Sequence, residues 1–267
     1  MKNGKFAKTY LGLFMAFLYA PIGVLIVFSF NQSKSRSVFT GFTFDWYAQL
    51  FQNRMILQSL GNTLIVAAIS SVAATLLGTM AAIGINSMNK RMKSVMMNLT
   101  YVPVINPEIV TGVSLMLLFV FLRIKFGFTT LILAHITFNV SYVILNVMPK
   151  LRQMDKNIFD AALDLGCTPV KAFFKVVIYE IMPGIVAGFL TAFTFSVDDF
   201  VISYFTTGVT SQTLPITIYS MTRKKVSPEI NALSTVIFVV VLTILLLVNL
   251  NDTRKSKNQL KERRASF

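Results

Sequence analysis

Residues 160–183 read DAALDLGCTPVKAFFKVVIYEIMP and lie between two long apolar regions of the chain. The stretch holds acidic residues, lysines, a glycine and two prolines, whereas the apolar regions at 128–148 and 184–197 carry no acidic or basic residue other than one histidine. A short helix is predicted from Asp160, and it ends in a turn at Gly166, because glycine adopts conformations that a side chain hinders. Thr168 and Pro169 are typical of a new helix start, with a capping hydroxyl followed by proline at the first helical position. The stretch therefore predicts a helix, a sharp turn and a second helix.

The composition indicates a membrane protein. Of the 267 residues, 54% are hydrophobic and only 13% are charged, whereas soluble domains carry about 25% charged residues. The net charge of +14 does not indicate nucleic-acid binding, because the basic residues cluster at the ends of apolar runs and not in one patch. The only cysteine, Cys167, excludes an internal disulfide and a cysteine-based zinc site. The first apolar run is too long for a signal-peptide core and lacks a cleavage pattern, so we expect a retained membrane anchor.

Apolar stretches long enough to cross a bilayer predict an all-α integral membrane protein with about six transmembrane helices. The predicted spans are residues 9–30, 60–85, 97–121, 128–148, 183–205 and 231–250. Most of the 25 lysine and arginine residues then fall on one side of the membrane. The positive-inside rule therefore places both termini and the connection at 149–182 in the cytoplasm. The cluster Arg223–Lys225 opposes the rule, although long loops contribute little to it.

The cytoplasmic connection resembles the EAA signature of ABC importer permeases. Its residues are Asp160-Ala161-Ala162, Gly166 after three further residues, and Ile181-Met182-Pro183. The sequence has aspartate where the family has glutamate, and its ending departs from the usual I-x-L-P. Other segments, including YAPIGVLIVFSFNQS, LPITIYSM and SPEINALST, are similar to the spermidine/putrescine (PotC-type) permease family. Related permeases for iron, sulfate or thiamine share parts of this pattern, so those solutes stay open as alternatives.

The resemblance covers nearly the whole chain and implies a single permease domain over residues 1–267 with the MetI-like fold. It implies a bacterial plasma (inner) membrane location and no cofactor in this chain, because ATP and Mg would bind to a partner ATPase dimer. A homologous second permease, an extracytoplasmic polyamine-binding protein and membrane lipid are the other expected partners, with no nucleic acid. Asp160, Ala161, Ala162 and Gly166 are expected to face the ATPase as a coupling helix.

Three acidic residues within the predicted spans are candidates for the substrate path. An ionised side chain at the bilayer centre costs about 2.5–3.5 kcal/mol on insertion scales, so Glu108, Asp198 and Asp199 need an explanation. Glu108 is expected near mid-depth, after Pro103 and Pro107, which are predicted to bend the helix. The two aspartates are expected nearer the outside, which predicts two separate stations for a polycation. The alternative is that these carboxylates form interhelical hydrogen bonds or pair with a neighbouring subunit. Two polar stripes accompany the aspartates: Thr191, Thr194 and Asp198 form one, and Ser196, Asp199 and Ser203 form the other.

Other features favour structural roles and exclude an enzyme. His135 is expected to make a hydrogen-bonded helix contact, and Trp46 with Tyr47 is expected to anchor the chain at the membrane interface or to belong to an outer gate. The sequence contains no H-E-x-x-H, G-x-S-x-G or G-x-x-x-x-G-K-[ST] motif, which predicts no catalytic or metal site and no ATP hydrolysis by this chain. An ion-coupled secondary transporter and an intramembrane enzyme are the alternatives from other classes. The first would show inverted repeats and lack the coupling segment, and the second would need a nucleophile or metal constellation.

Overall fold

The computed structural model describes residues 4–33, 38–155, 157–224, 228–240, 242 and 243. The regular structure of these residues is helical apart from one isolated bridge between Asn31 and Phe42, which confirms the all-α prediction. The helices are α1 (Gly4–Ser29), α2 (Asp45–Gln52), α3 (Arg54–Ser87), α4 (Lys90–Ile105), α5 (Glu108–Phe121), α6 (Phe128–Gln153), α7 (Ile158–Asp164), α8 (Pro169–Ala172), α9 (Ile178–Asp198), α10 (Val201–Thr206), α11 (Leu214–Lys224) and α12 (Pro228–Val240). A π-helical segment, Phe173–Val177, joins α8 to α9.

Among the described residues, four helices are long and apolar enough to cross a membrane: Phe6–Ser29, Arg54–Ser87, Phe128–Gln153 and the continuous helix Pro169–Asp198. Helices α4 and α5 make a fifth span if they are taken together, although the chain bends by 101° between them. Helix α12 is a shorter apolar helix. The sixth predicted span, 231–250, overlaps α12, and its residues 241 and 244–250 lie outside the described residues, as does the basic C-terminal tail.

The prediction of one continuous helix over 97–121 is wrong. The chain leaves helical geometry at Asn106, whose φ of −68° and ψ of 135° are extended, and Pro107 follows. Proline disfavours the helical conformation in the residue before it, and it offers no backbone donor to continue the helix. Glu108 therefore lies in the first turn of α5 and not in the middle of a continuous span.

The predicted fifth span, 183–205, differs from the structure at both of its ends. The helix already begins at Pro169, so that Pro183 lies inside it and does not mark its start. Pro183 removes one backbone donor without ending the helix, as occurs in membrane helices. The helix ends at Asp198, and Asp199 is extended with a ψ of 122°. The short α10 then follows the break.

The chain divides into two compact units, Met55–Thr217 and Met1–Arg54 with Ile218–Phe267. In the first unit, α6 packs along α9, and α3 and α4 also contact α6. Glycines let these backbones approach closely, as is typical of membrane helices. A Cβ atom at Gly184 would lie 3.0 Å from the carbonyl oxygen of Asn146 and 3.2 Å from the Cα atom of Val147. The apolar core around this contact includes Val143, Val147 and Ile181, which are almost completely buried.

In the second unit, no residue of the most apolar part of α1 is buried, and α2 packs near the end of α1 through aromatic residues. Trp46 is only 7% exposed, and its indole N–H donates a hydrogen bond of 2.7 Å to the carbonyl oxygen of Asn31. The Tyr47 hydroxyl forms a hydrogen bond of 2.7 Å with the Ser29 hydroxyl. The expectation that Trp46 anchors the chain at the membrane interface is therefore wrong, because its ring is buried and its N–H is used within this unit.

We expect Gly184→Val to destabilise the contact between α6 and α9 by about 1–3 kcal/mol, because the new side chain would meet backbone atoms that cannot move aside. Thermal unfolding of the purified protein in detergent measures the effect. Gly84→Val is the matched control, because Gly84 is exposed on α3 and a Cβ atom there has no neighbour within 4 Å among the described residues. Equal unfolding temperatures for the two variants would show that the glycine contact is unimportant.

Candidate functional site

Both helix breaks border one cavity of about 260 Å³. Its lining residues come from α4, α5, α6, α9, α10 and the break before α10: Pro103, Glu108, Thr111, Phe138, Tyr142, Phe195, Asp198, Asp199, Phe200, Val201 and Ile202. Broken helices in a membrane protein are tolerated where irregular backbone lines a cavity. The coincidence of two breaks, one cavity and three carboxylates makes this place the candidate functional site.

The three candidate carboxylates therefore belong to one cavity, and the predicted arrangement of two separate stations is wrong. That prediction treated 97–121 and 183–205 as continuous helices, in which Glu108 and Asp198 would lie at different depths. The two breaks change the directions of the helices, and α5 then packs against α10. At this contact a Cβ atom on Gly112 would lie 3.0 Å from the Phe205 ring.

Two of the carboxylates are exposed and unpaired. The side chains of Glu108 and Asp198 make no hydrogen bond or ion pair with the residues that the structure describes. Glu108 lies at the start of α5, where the helix dipole favours a negative charge. Asp198 is the last residue of α9, where the dipole disfavours a negative charge by about 0.3–1 kcal/mol. A bound cation would relieve the unfavourable position of Asp198.

Asp199 is used differently, because its side chain is 6% exposed and both of its oxygens accept hydrogen bonds. Oδ1 accepts from the backbone N–H of Ile202 at 3.2 Å, and Oδ2 accepts from that of Ser203 at 2.6 Å. These donors belong to the first turn of α10, which otherwise lacks intrahelical acceptors for them. Asp199 therefore caps α10, in agreement with the alternative that these carboxylates have structural roles. Asp199 is nevertheless among the residues that line the cavity.

The two predicted polar stripes also differ: the threonines of one form hydrogen bonds within their own helix, and the residues of the other contact a second helix. Thr191 and Thr194 donate hydrogen bonds to carbonyl oxygens of their own helix, at 2.9 and 2.8 Å, and thus need no partner from another helix. Ser196, Asp199 and Ser203 instead surround His135, which is completely buried. The expectation that His135 makes a hydrogen-bonded helix contact is confirmed.

The walls of the cavity are aromatic, a feature that the sequence analysis did not identify. The lining includes the rings of Phe138, Tyr142, Phe195 and Phe200 and no lysine or arginine. Tyr142 and Phe195 meet edge to face, with ring centroids 4.6 Å apart. Aromatic faces attract cations and also cover methylene groups. The lining residues come from distant parts of the chain, so no local motif marks them.

The segment between α6 and α9 has the predicted helix, turn and helix. Gly166 adopts a φ of +85°, and its N–H donates to the Leu163 carbonyl at 2.8 Å. The Cys167 N–H donates to the Ala162 carbonyl at 3.0 Å, which completes a Schellman motif. The Thr168 side chain accepts from the Lys171 N–H as the cap of α8. Glycine is required here by the backbone conformation and not by crowding, since a Cβ atom would meet nothing within 4 Å among the described residues.

The predicted coupling residues do not share one face. Asp160 and Ala161 are exposed on α7, but Ala162 is only 7% exposed. The expectation that Ala162 lies on an outward face is wrong, because α7 packs against α8 and the π-helical segment. The outward apolar group is instead Leu165, which is 87% exposed directly before Gly166. An apolar residue next to a glycine turn is the only sequence signal for it.

A family model described as "Binding-protein-dependent transport system inner membrane component" matches residues 74–252. The chain belongs to this family. The permease is 40% identical over 228 residues to "Putrescine transport system permease protein PotI" of Escherichia coli (strain K12), covering 83% of this chain and 81% of that protein. It is 38% identical over 242 residues to "Spermidine/putrescine transport system permease protein PotC" of the same strain, covering 91% and 92%.

The fold of the permease is also found in solved transporters. A "bacterial ABC transporter involved in the import of the acidic polysaccharide alginate" has a TM-score of 0.71 at 12% identity, covering 94% of this chain and 95% of that chain. At this identity the likeness concerns the fold alone. The permease is thus an inner-membrane transport subunit and not an enzyme.

We expect Asp198→Cys, in a background where Cys167 is replaced by serine, to react faster with a cationic than with an anionic methanethiosulfonate reagent. Asp198 is exposed at the cavity, and Glu108 remains there to attract the cation. Ala192→Cys is the control on the same helix, because Ala192 is completely buried. Labelling rates of the purified permease in detergent measure the difference. Similar rates for both positions would contradict a water-accessible cavity.

Proposed function

We propose that the permease forms the membrane path for spermidine and putrescine in an ATP-driven importer. The observation that carries this proposal is the cavity, which is lined by the exposed acids Glu108 and Asp198 and by four aromatic residues, with no lysine or arginine among its described lining residues. The names of the relatives at 38% and 40% identity support the same substrate class. A polyamine is a flexible chain of methylene groups with several ammonium groups, and both parts of it match this lining.

Charge selects among the alternative solutes. An anion such as sulfate would be repelled by Glu108 and Asp198, which are unpaired among the described residues. A metal ion would find carboxylates, but most of the remaining lining is aromatic or aliphatic and offers it few further ligands. An organic polycation can place ammonium groups at the carboxylates and over the rings, while its methylene groups cover the apolar surface.

The cavity also indicates that a second subunit takes part. Its volume of about 260 Å³ lies below the range of about 300–1,000 Å³ that is usual for small-molecule sites. Glu108 and Asp198 are exposed in the isolated chain. A homologous permease on the open side would complete the path, and a binding protein would deliver the polyamine from outside the cell.

The segment from α7 to α8 is proposed to contact the partner ATPase on the cytoplasmic side, which is also the side that the positive-inside rule predicts for both termini. Its exposed Asp160, Leu165 and Val170 offer a charge and an apolar surface to a groove of a partner. The ATPase would bind ATP and Mg, because the sequence of the permease contains no phosphate-binding motif. Closure of the ATPase dimer would then move the segment and the spans attached to it.

We expect Glu108→Gln and Asp198→Asn each to reduce polyamine uptake at least about tenfold, since a hydrogen bond to a charged group contributes about 1.5–3 kcal/mol. Both substitutions keep the side-chain volume and remove the charge. Uptake of radiolabelled spermidine by the complex in proteoliposomes measures the effect, and the amount of co-purified ATPase controls for assembly. Glu108→Asp is the matched variant that keeps the charge, and it should retain more uptake than Glu108→Gln. Wild-type uptake by both neutral variants would refute a charge-selective path.

We expect Gly166→Val to reduce uptake while the complex still hydrolyses ATP. A β-branched residue is strained at a φ of +85°, and left-handed geometry costs a non-glycine residue about 1–2 kcal/mol. Gly166→Asn is the control, because asparagine tolerates this region better and the space around the Cβ position is open. Paired measurements of uptake and ATPase rate in proteoliposomes separate coupling from assembly. Normal uptake by the valine variant would show that the turn at Gly166 is not needed for coupling.

A further inference from the structure

The break between α9 and α10 is bridged by a single side chain from another helix. His135 of α6 is completely buried. Its Nδ1 atom forms a hydrogen bond with the Ser196 hydroxyl on α9. Its Nε2 atom lies 3.0 Å from the Ser203 hydroxyl on α10 and 3.5 Å from Oδ2 of Asp199. The two ring nitrogens thus contact both sides of the break and the residue within it.

A fourth helix extends this group of buried polar side chains. The Ser196 hydroxyl also forms a hydrogen bond of 3.0 Å with the Ser70 hydroxyl on α3, and both serines are at most 2% exposed. Inside a protein, a network of this kind fixes one arrangement, because a member left without a partner pays a large desolvation cost. The network therefore fixes the directions of α9 and α10 relative to α6 and α3.

The same break shapes the wall of the cavity. Asp198 lies directly before it, and Phe200, Val201 and Ile202 lie directly after it, and all four line the cavity. Asp199, between them, is turned toward His135 and the first turn of α10. A change in the angle between α9 and α10 would displace Asp198 relative to Phe200 and to Glu108, which lines the same cavity.

We propose that His135 is a positioning residue for transport, which acts through Asp199 by bridging α9 and α10 and thereby fixing the wall of the cavity. His135 does not line the cavity and so has no direct contact with the substrate. Its effect reaches the substrate through the geometry of Asp198 and Phe200. This inference rests on the proposed function insofar as the cavity is taken to hold the transported cation.

A double-mutant cycle on the reconstituted complex tests the proposal. We expect His135→Leu to raise the KM for spermidine uptake about tenfold, because the contact with a charged group is lost. In an Asp199→Asn background the same substitution should change KM less than about twofold, since the partner through which it acts is already altered. In a Glu108→Gln background the substitution should keep its full effect, because Glu108 makes no contact with the network.

If His135→Leu raises KM by the same factor in the Asp199→Asn and Glu108→Gln backgrounds, His135 does not act through Asp199. Wild-type KM for His135→Leu would overturn any positioning role. If Glu108→Gln and Asp198→Asn transport normally, the proposed function fails independently of the result at His135. If these two variants take up polyamine more slowly than the wild type while the effects of His135→Leu and Asp199→Asn are additive, only the positioning role is wrong.

Two amide variants test the bridge even if the leucine variant does not assemble with the ATPase. The amide of His135→Gln reaches the position of Nε2 and can still contact α10 and Asp199, whereas that of His135→Asn reaches the position of Nδ1 and contacts α9 only. We expect KM to be lowest in the wild type, intermediate for glutamine and highest for asparagine. Equal KM values for the two amide variants would contradict a bridge that acts through Asp199.

Discussion

Backbone polar groups inside a membrane must find partners within the protein, and the two helix breaks of this permease are where that constraint acts. At the first break, Pro107 has no N–H to satisfy, and its carbonyl oxygen accepts from Val110 and Thr111 in the first turn of α5. At the second break, Asp199 supplies the acceptors for the first turn of α10. Residues next to both breaks line the candidate cavity.

The electrostatics of the cavity follow from the same geometry. The break at Asn106–Pro107 puts Glu108 at the start of a helix, and the break at Asp199 puts Asp198 at the end of one. One carboxylate is thus in a favourable helix-dipole position and the other in an unfavourable one. Two acids and several aromatic residues in one lining would give weak contacts, which suit the proposed path more than a tight binding site.

The cavity and the turn at Gly166 are connected by one helix. The helix Pro169–Asp198 has 30 residues, which corresponds to about 45 Å at a rise of 1.5 Å per residue. Its first residue follows the Schellman turn, and its last residue is a cavity carboxylate. Tight packing of Gly184 and Gly188 on α6 holds its middle part. A displacement of the turn would therefore be transmitted to Asp198 through this one helix.

The sequence by itself determined the membrane class, the turn at Gly166, the helix start at Thr168 and the family, because each depends on composition or on residues that are close in the chain. It also identified Pro107 as a site of bending. The break at Asp199 could not be predicted, because no proline or glycine lies at it. It is stabilised instead by His135 of another helix and by the Asp199 side chain, which caps α10. Only the tertiary structure decided that Glu108 and Asp198 meet in one cavity, that aromatic rings from α6 and α9 line it, and that Ala162 and Trp46 are buried. These features depend on which helices pack together and at which residues, and such contacts are set by long-range packing that no local pattern encodes.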